Sequence, residues 1–99
     1  MTAKPLYVLQ LFVADEAPNS VQARGNLRAF CATHLRGCHQ VEVIDVLEDP
    51  ARALDDGIFM TPMLIKRLPL PMRRIVGTLS DSNAILEALG IEDDGHGID

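Results

Sequence analysis

No stretch of the 99-residue sequence approaches the roughly 20 consecutive apolar residues that a bilayer-spanning helix needs. The main apolar run, residues 6–13, is short and interrupted by Gln10, and residues 1–5 hold a single lysine. Neither a secretory leader nor a membrane anchor is expected, and the protein is expected in the cytoplasm. Cysteine is scarce. Cys31 and Cys38 are too few for the disulfide framework of a small secreted domain. No Gly-x-x-x-x-Gly-Lys-Ser/Thr loop is present to cradle a nucleotide phosphate. Positive charge is also in deficit: 9 Lys and Arg face 14 Asp and Glu, for a net charge of −5. Such a chain gains no counterion release from phosphates, which speaks against nucleic acid as a partner.

What remains is an ordinary globular composition, with 47% hydrophobic and 23% charged residues. The length argues for one domain over residues 1–99 with a modest core. Glu92, Asp93, Asp94 and Asp99 gather much of the acidity in a tail, 91–99, that is expected to fray.

Residues 6–13 read as a strand buried on both faces. Pro18 suits the first turn of a helix over about 18–36, where Leu27, Cys31 and Leu35, with Phe30 beside them, form one apolar face. Gly37 is placed to terminate it. Residues 41–47 form a second strand, completing a right-handed βαβ unit with parallel strands. Asp49 caps, and Pro50 opens, a short helix over 50–56 that Gly57 ends. Thr61 and Pro62 precede a third strand, 63–66. Pro69 and Pro71 force a loop before a fourth, 73–77. Ser80 is read as the cap of a last helix over 81–89, with Ile85, Leu86 and Leu89 turned inward and Gly90 closing it. The order βαβαββα, with Thr-Pro just before the third strand, is that of the thioredoxin-like α/β architecture, in which that proline is cis.

An oxidoreductase on this scaffold needs a thiol at the N-terminus of its first helix, where the helix dipole lowers the thiol pKa. Here residues 17–21 read Ala, Pro, Asn, Ser, Val, with no Cys-x-x-Cys. Ser20 is the remaining hydroxyl; it has no base positioned by any motif and reads as a hydrogen-bonding group at the helix terminus. Cys31, His34, Cys38 and His39 offer four candidate metal ligands close together in sequence. The spacing lacks a zinc knuckle and Cys31 falls on the packed helix face, so neither metal nor cofactor is expected. Asp45, Glu48, Asp49, Asp55 and Asp56 read as caps and surface charge. Arg73 and Arg74 open an edge strand, where they either discourage aggregation or contact a partner.

Three stretches carry more than architecture: YVLQLFVA at 7–14 with PNSV at 18–21, VIDVLEDP at 43–50, and Thr61-Pro62 followed by LPLPMRRIVG at 68–77 with Leu79 and Ser80. Together they resemble the KaiB family of circadian-clock proteins over most of the chain. The resemblance implies a non-enzymatic regulator that binds a KaiC-type ATPase ring, and in cyanobacteria also bears on KaiA and a sensor histidine kinase. It implies a metamorphic fold as well, with a thioredoxin-like binding form and a tetrameric ground state ordered βαββααβ; a homodimer or homotetramer is expected on this ground. Such switching requires two packings within a few kcal/mol of each other. Gln22, Glu42 and Gly57 stand where cyanobacterial relatives usually carry basic residues, and residues 87–90 depart from the family's C-terminal pattern, which favours the thioredoxin-like form. Contact with the ATPase is expected on the edge strand and short helix, through Lys4, Pro50, Ile58, Phe59, Arg73 and Arg74, with Pro62 as the structural pivot. The alternative is a thioredoxin-superfamily enzyme, redox or glutathione-linked. A third reading, the sensory input domain of a kinase pathway, is usually fused to a histidine kinase.

Overall fold

The computed structural model describes residues 5–91. Its sheet is built on β1 (Tyr7–Val13), which is paired on both sides. β2 (His39–Asp45) runs parallel to β1 and forms one edge. On the other side β3 (Met63–Leu68) runs antiparallel to β1, and β4 (Arg73–Val76) antiparallel to β3, giving the strand order β2-β1-β3-β4. α1 (Pro18–His34) is the crossover between β1 and β2, α2 (Pro50–Asp55) joins β2 to β3, and α3 (Ser82–Leu89) follows β4. The expected order βαβαββα and the thioredoxin-like class are those of the structure.

Alternation along β1 divides the core in two, since successive strand residues face opposite sides. Leu9, Leu11 and Val13 join Leu27, Phe30, Cys31 and Leu35 of the α1 region and Ile85 and Leu89 of α3 in the larger cluster. Phe12 points the other way, onto Ile44, Ala53, Ile58, Met63 and Ile65, the cluster beneath α2. Lys66 lies opposite Leu9 on the α1 side and is buried. That burial, and then the charge of Arg73, hold its ammonium pKa down.

Element ends differ from the sequence reading in instructive ways. β2 begins at His39, two residues early, because parallel pairing with Tyr7 recruits it. α1 stops at His34, and the left-handed Gly37 falls in the turn beyond. Asp81, not Ser80, caps α3: its carboxylate accepts from Asn83 N at 3.0 Å and Ala84 N at 3.2 Å. β3 runs on to Leu68, and a register slip between Val8 and Leu9 leaves Arg67 as its extra, unpaired residue.

Two helices end in the same way. Gly90 takes φ 67°, and Ile91 N returns to Leu86 O at 2.9 Å while the Ile91 side chain is buried. Gly57 takes φ 68°, and Ile58 N returns to Ala53 O at 2.8 Å with the Ile58 side chain buried. Both are left-handed glycine caps with an apolar contact just beyond. Ile58 was expected at a partner interface; in this structure it is a core residue, 8% exposed. The Thr61–Pro62 peptide is cis, as expected, and so are Leu68–Pro69 and Leu70–Pro71.

Phe12 is fully buried, and Phe12→Ala is expected to destabilise the fold by about 3–5 kcal/mol. That is a large share of the roughly 5–15 kcal/mol available to a domain, and urea denaturation would measure it.

Candidate docking face at the end of the sheet

The pairing register brings four connections to one end of the sheet. Residues 14–17 leave β1, 46–49 leave β2, 59–62 enter β3 and 77–81 leave β4. Val46 N bonds Val13 O at 2.9 Å and Gly77 N bonds Pro62 O at 3.0 Å, which fastens them together. Asp45 braces two of them: its carboxylate accepts from Leu47 N at 2.9 Å and Asp15 N at 3.3 Å.

On a thioredoxin scaffold this is where thiol chemistry is done, at the start of α1. Here Ala17 is the cap residue and supplies no side-chain bond, and Pro18 opens the helix. Ser20 is buried, and its hydroxyl accepts from Ala14 N at 3.0 Å, tying the helix to the end of β1. It is a fastening group, as its position at the helix terminus suggested. Cys31 lies thirteen residues along α1, about 20 Å away at 1.5 Å per residue. Its thiol is buried, and that burial, with the neighbouring Cys38, pushes its pKa up to about 11. Cys31 therefore stays a protonated, apolar group at neutral pH. Among the described residues no group of three or more His, Cys, Asp and Glu could hold a metal ion.

In place of a nucleophile the same end presents apolar side chains. Phe59 is 86% exposed, and Leu47, Met60 and Val21 are also exposed; Leu54 stands out from α2. Local geometry explains Phe59. Gly57 and Ile58 complete the cap of α2, Ile58 turns into the core, and the next side chain is left pointing to solvent.

Among the other residues expected to contact a partner, Pro50 is exposed at the first position of α2. Pro62 is buried directly before β3. Arg73 and Arg74 do not act as a pair. Arg73 aligns with Lys66, on the α1 side of the sheet, whereas Arg74 aligns with Ile65, on the α2 side. Arg74 donates to Asp56 O at 2.7 Å, and so ties the end of α2 to β4. The structure thus gathers Pro50, Phe59 and Arg74 around α2 and puts Arg73 on the opposite face. Lys4 lies outside the described residues, as does the acidic segment 92–99.

Sequence reasoning missed the polar chain that holds α2 in place. Arg52 makes a two-pronged contact with Glu42, both bonds 2.7 Å. Gln10 donates to the same carboxylate at 3.0 Å and accepts from Arg67 Nε through its own carbonyl oxygen. Arg67 in turn pairs with Asp56 at 2.8 Å. The chain starts on α2, crosses β2, β1 and β3, and returns to the end of α2. Its five residues are scattered over residues 10–67, so no local motif announced it. The bonds from Arg52 and then Gln10 hold the Glu42 carboxyl down at about 2, from an ordinary 4.5. The missed apolar residues, Leu47, Leu54 and Met60, carried one faint signal: each adjoins a turn or short helix with no apolar periodicity to bury it.

Two outcomes follow from this geometry. Ellman's reagent is expected to react with Cys31 and Cys38 far more slowly in the native protein than in denaturant; equal rates would contradict their burial. A carboxyl with a depressed folded-state pKa adds stability above its unfolded pKa and loses it as pH falls through the folded one. Glu42→Gln should therefore lower Tm at pH 7, with the gap to the parent closing as pH falls from about 4.5 to about 2. The effect is small because the pair is exposed.

The family model for the KaiB domain matches residues 10–91. The chain is 44% identical over 91 residues to the circadian clock oscillator protein KaiB of Parasynechococcus marenigrum, covering 92% of this chain and 88% of that protein. Its structure is similar to the N-terminal domain of Synechococcus elongatus SasA, with a TM-score of 0.71 at 24% identity over 100% of this chain and 94% of that one. It is also similar to mitochondrial thioredoxin 3 of Saccharomyces cerevisiae, with a TM-score of 0.69 at 14% identity over 88% and 79% of the two chains. These two likenesses concern the fold alone. The family model over residues 10–91 and the 44% identity over 91 residues make this chain a member of the KaiB family.

Proposed function

We propose that this protein is a non-catalytic regulator that docks, in its thioredoxin-like form, on a KaiC-type ATPase ring and serves circadian or daily timing. The name carried by its KaiB relatives, circadian clock oscillator protein, supports the timing role. The observation that carries the docking role is Phe59. A large aromatic side chain is 86% exposed on a turn whose two neighbours are immobilised, Ile58 by the core and Gly57 by its cap. Leu47, Leu54 and Met60 extend the apolar surface around it. Exposed aromatic anchors on rigid supports are the usual centres of binding energy at interfaces. The start of α1, without a thiol, supports a scaffold used for recognition in place of turnover.

Pro50 and Arg74 border this surface and belong to the same contact; Lys4, and Arg73 on the opposite face of the sheet, are proposed as further contacts with the same partner. Pro62, at the junction of the α2 turn and β3, is the pivot about which the C-terminal half would repack in a tetrameric ground state. KaiA and a sensor histidine kinase are further partners for the same form. The protein is proposed to act in the cytoplasm.

Size-exclusion chromatography with the KaiC-type ATPase of the same organism, in ATP and in ADP, tests the reading. A complex is expected in at least one nucleotide state, and none in either would overturn it. Phe59→Ala should weaken that complex on the order of 30-fold, the usual loss at an anchor residue. It should leave thermal stability nearly unchanged, as is usual for a surface substitution.

A further inference from the structure

On the face of the sheet away from α2, α1 does not reach the edge. Leu9 and Leu11 of β1 are fully covered, but their neighbours on β2, Val41 and Val43, remain 40% and 45% exposed. Between them and the helix runs a groove of about 250 Å³. Its floor is Leu11, Leu27 and Cys31, each at most 2% exposed, and its outer wall is the two valines. Arg24 and Arg28, four residues apart on α1, stand on the rim. That spacing puts them one turn apart on a single helix face. Neither has a hydrogen-bond or ion-pair partner among the described residues. Among the described residues no carboxylate lines the groove, and its remaining polar side chain is the imidazole of His39. A wholly basic rim around an apolar floor is unexpected in a chain of net charge −5.

We propose that this groove binds an aliphatic carboxylate of medium chain length, its chain laid along Leu11, Leu27 and the two valines and its head group held by Arg24 and Arg28. An apolar lining with a few convergent polar groups is the ordinary make-up of a small-molecule site. Arginine is the side chain best matched to a carboxylate, which it can engage with two parallel bonds. The volume is that of about eight water molecules at roughly 30 Å³ each, which suits a chain of about eight to ten carbons. His39 is pre-set as a boundary: its Nδ1 donates to Leu35 O at 2.7 Å, which fixes the ring. Cys31, protonated and apolar, is a wall that a hydrocarbon chain can contact. This site is separate from the docking face around Phe59, so the two inferences stand or fall independently.

The test is titration of the ¹⁵N-labelled full chain with sodium decanoate below its micellar concentration, with decyltrimethylammonium as a cation of equal chain length. Saturable amide shifts confined to residues 24–31 and 39–43 are expected with decanoate and not with the cation. Arg24→Glu with Arg28→Glu, both exposed positions, should raise the Kd at least tenfold, and the neutral pair Arg24→Gln with Arg28→Gln should give an intermediate loss. Equal shifts with the cation, an unchanged Kd on charge reversal, or no saturable shift at all would each sink the proposal. So would movement of the same amides on raising protein concentration alone, which would mean that a second copy fills the groove.

Discussion

Everything in this structure depends on β1 being a strand that is covered on both faces and paired on both edges. Val8–Val13 has almost no polar surface to offer water, and Phe12, Leu9, Leu11 and Val13 are all fully or nearly fully buried. A strand of that kind has to be central, and centrality dictates the rest. One parallel neighbour requires a crossover helix on one face, and the opposite face then needs α2 to cover Phe12. The two core clusters are the two sides of this one strand. Gln10 is the exception in the run, and it is the residue through which the polar chain from α2 passes across the strand.

The second decisive feature is smaller. At Gly57 the chain takes a left-handed turn that sends Ile58 inward and Phe59 outward. A one-residue difference in phase would reverse these roles, burying the aromatic ring and exposing the isoleucine. The anchor at the centre of the proposed docking surface therefore owes its exposure to a cap geometry, in the same way that Ile91 owes its burial to Gly90. The polar chain among Arg52, Glu42, Gln10, Arg67 and Asp56, with Arg74 on the backbone of Asp56, then holds this turn against the sheet without making it part of the core.

The thioredoxin-like scaffold here has no thiol at the head of α1, and the same end of the sheet carries exposed apolar side chains in its place. The two cysteines it retains have gone into packing on the α1 side. Family membership and geometry meet at this end of the sheet, which is where the docking surface is proposed. The basic groove beside β2 is a separate consequence of the same layering: one helix is too narrow to cover a central strand and an edge strand together.

The sequence by itself determined the order of elements, the parallel βαβ start, the glycine-closed ends of α2 and α3, the lack of a thiol at the start of α1 and the KaiB resemblance. All of these are local: they rest on residues within one strand, one turn of helix or one short motif, where propensity and periodicity act. Only the tertiary structure decided that Ile58 is core and Phe59 surface, that Arg73 and Arg74 face opposite sides of the sheet, that Asp81 rather than Ser80 caps α3, and that Gln10, Glu42, Arg52, Asp56 and Arg67 form one chain. Those outcomes depend on strand register and on which face each helix covers. Register is set by pairings between residues dozens of positions apart, and a shift of one residue would exchange every inward side chain for an outward one.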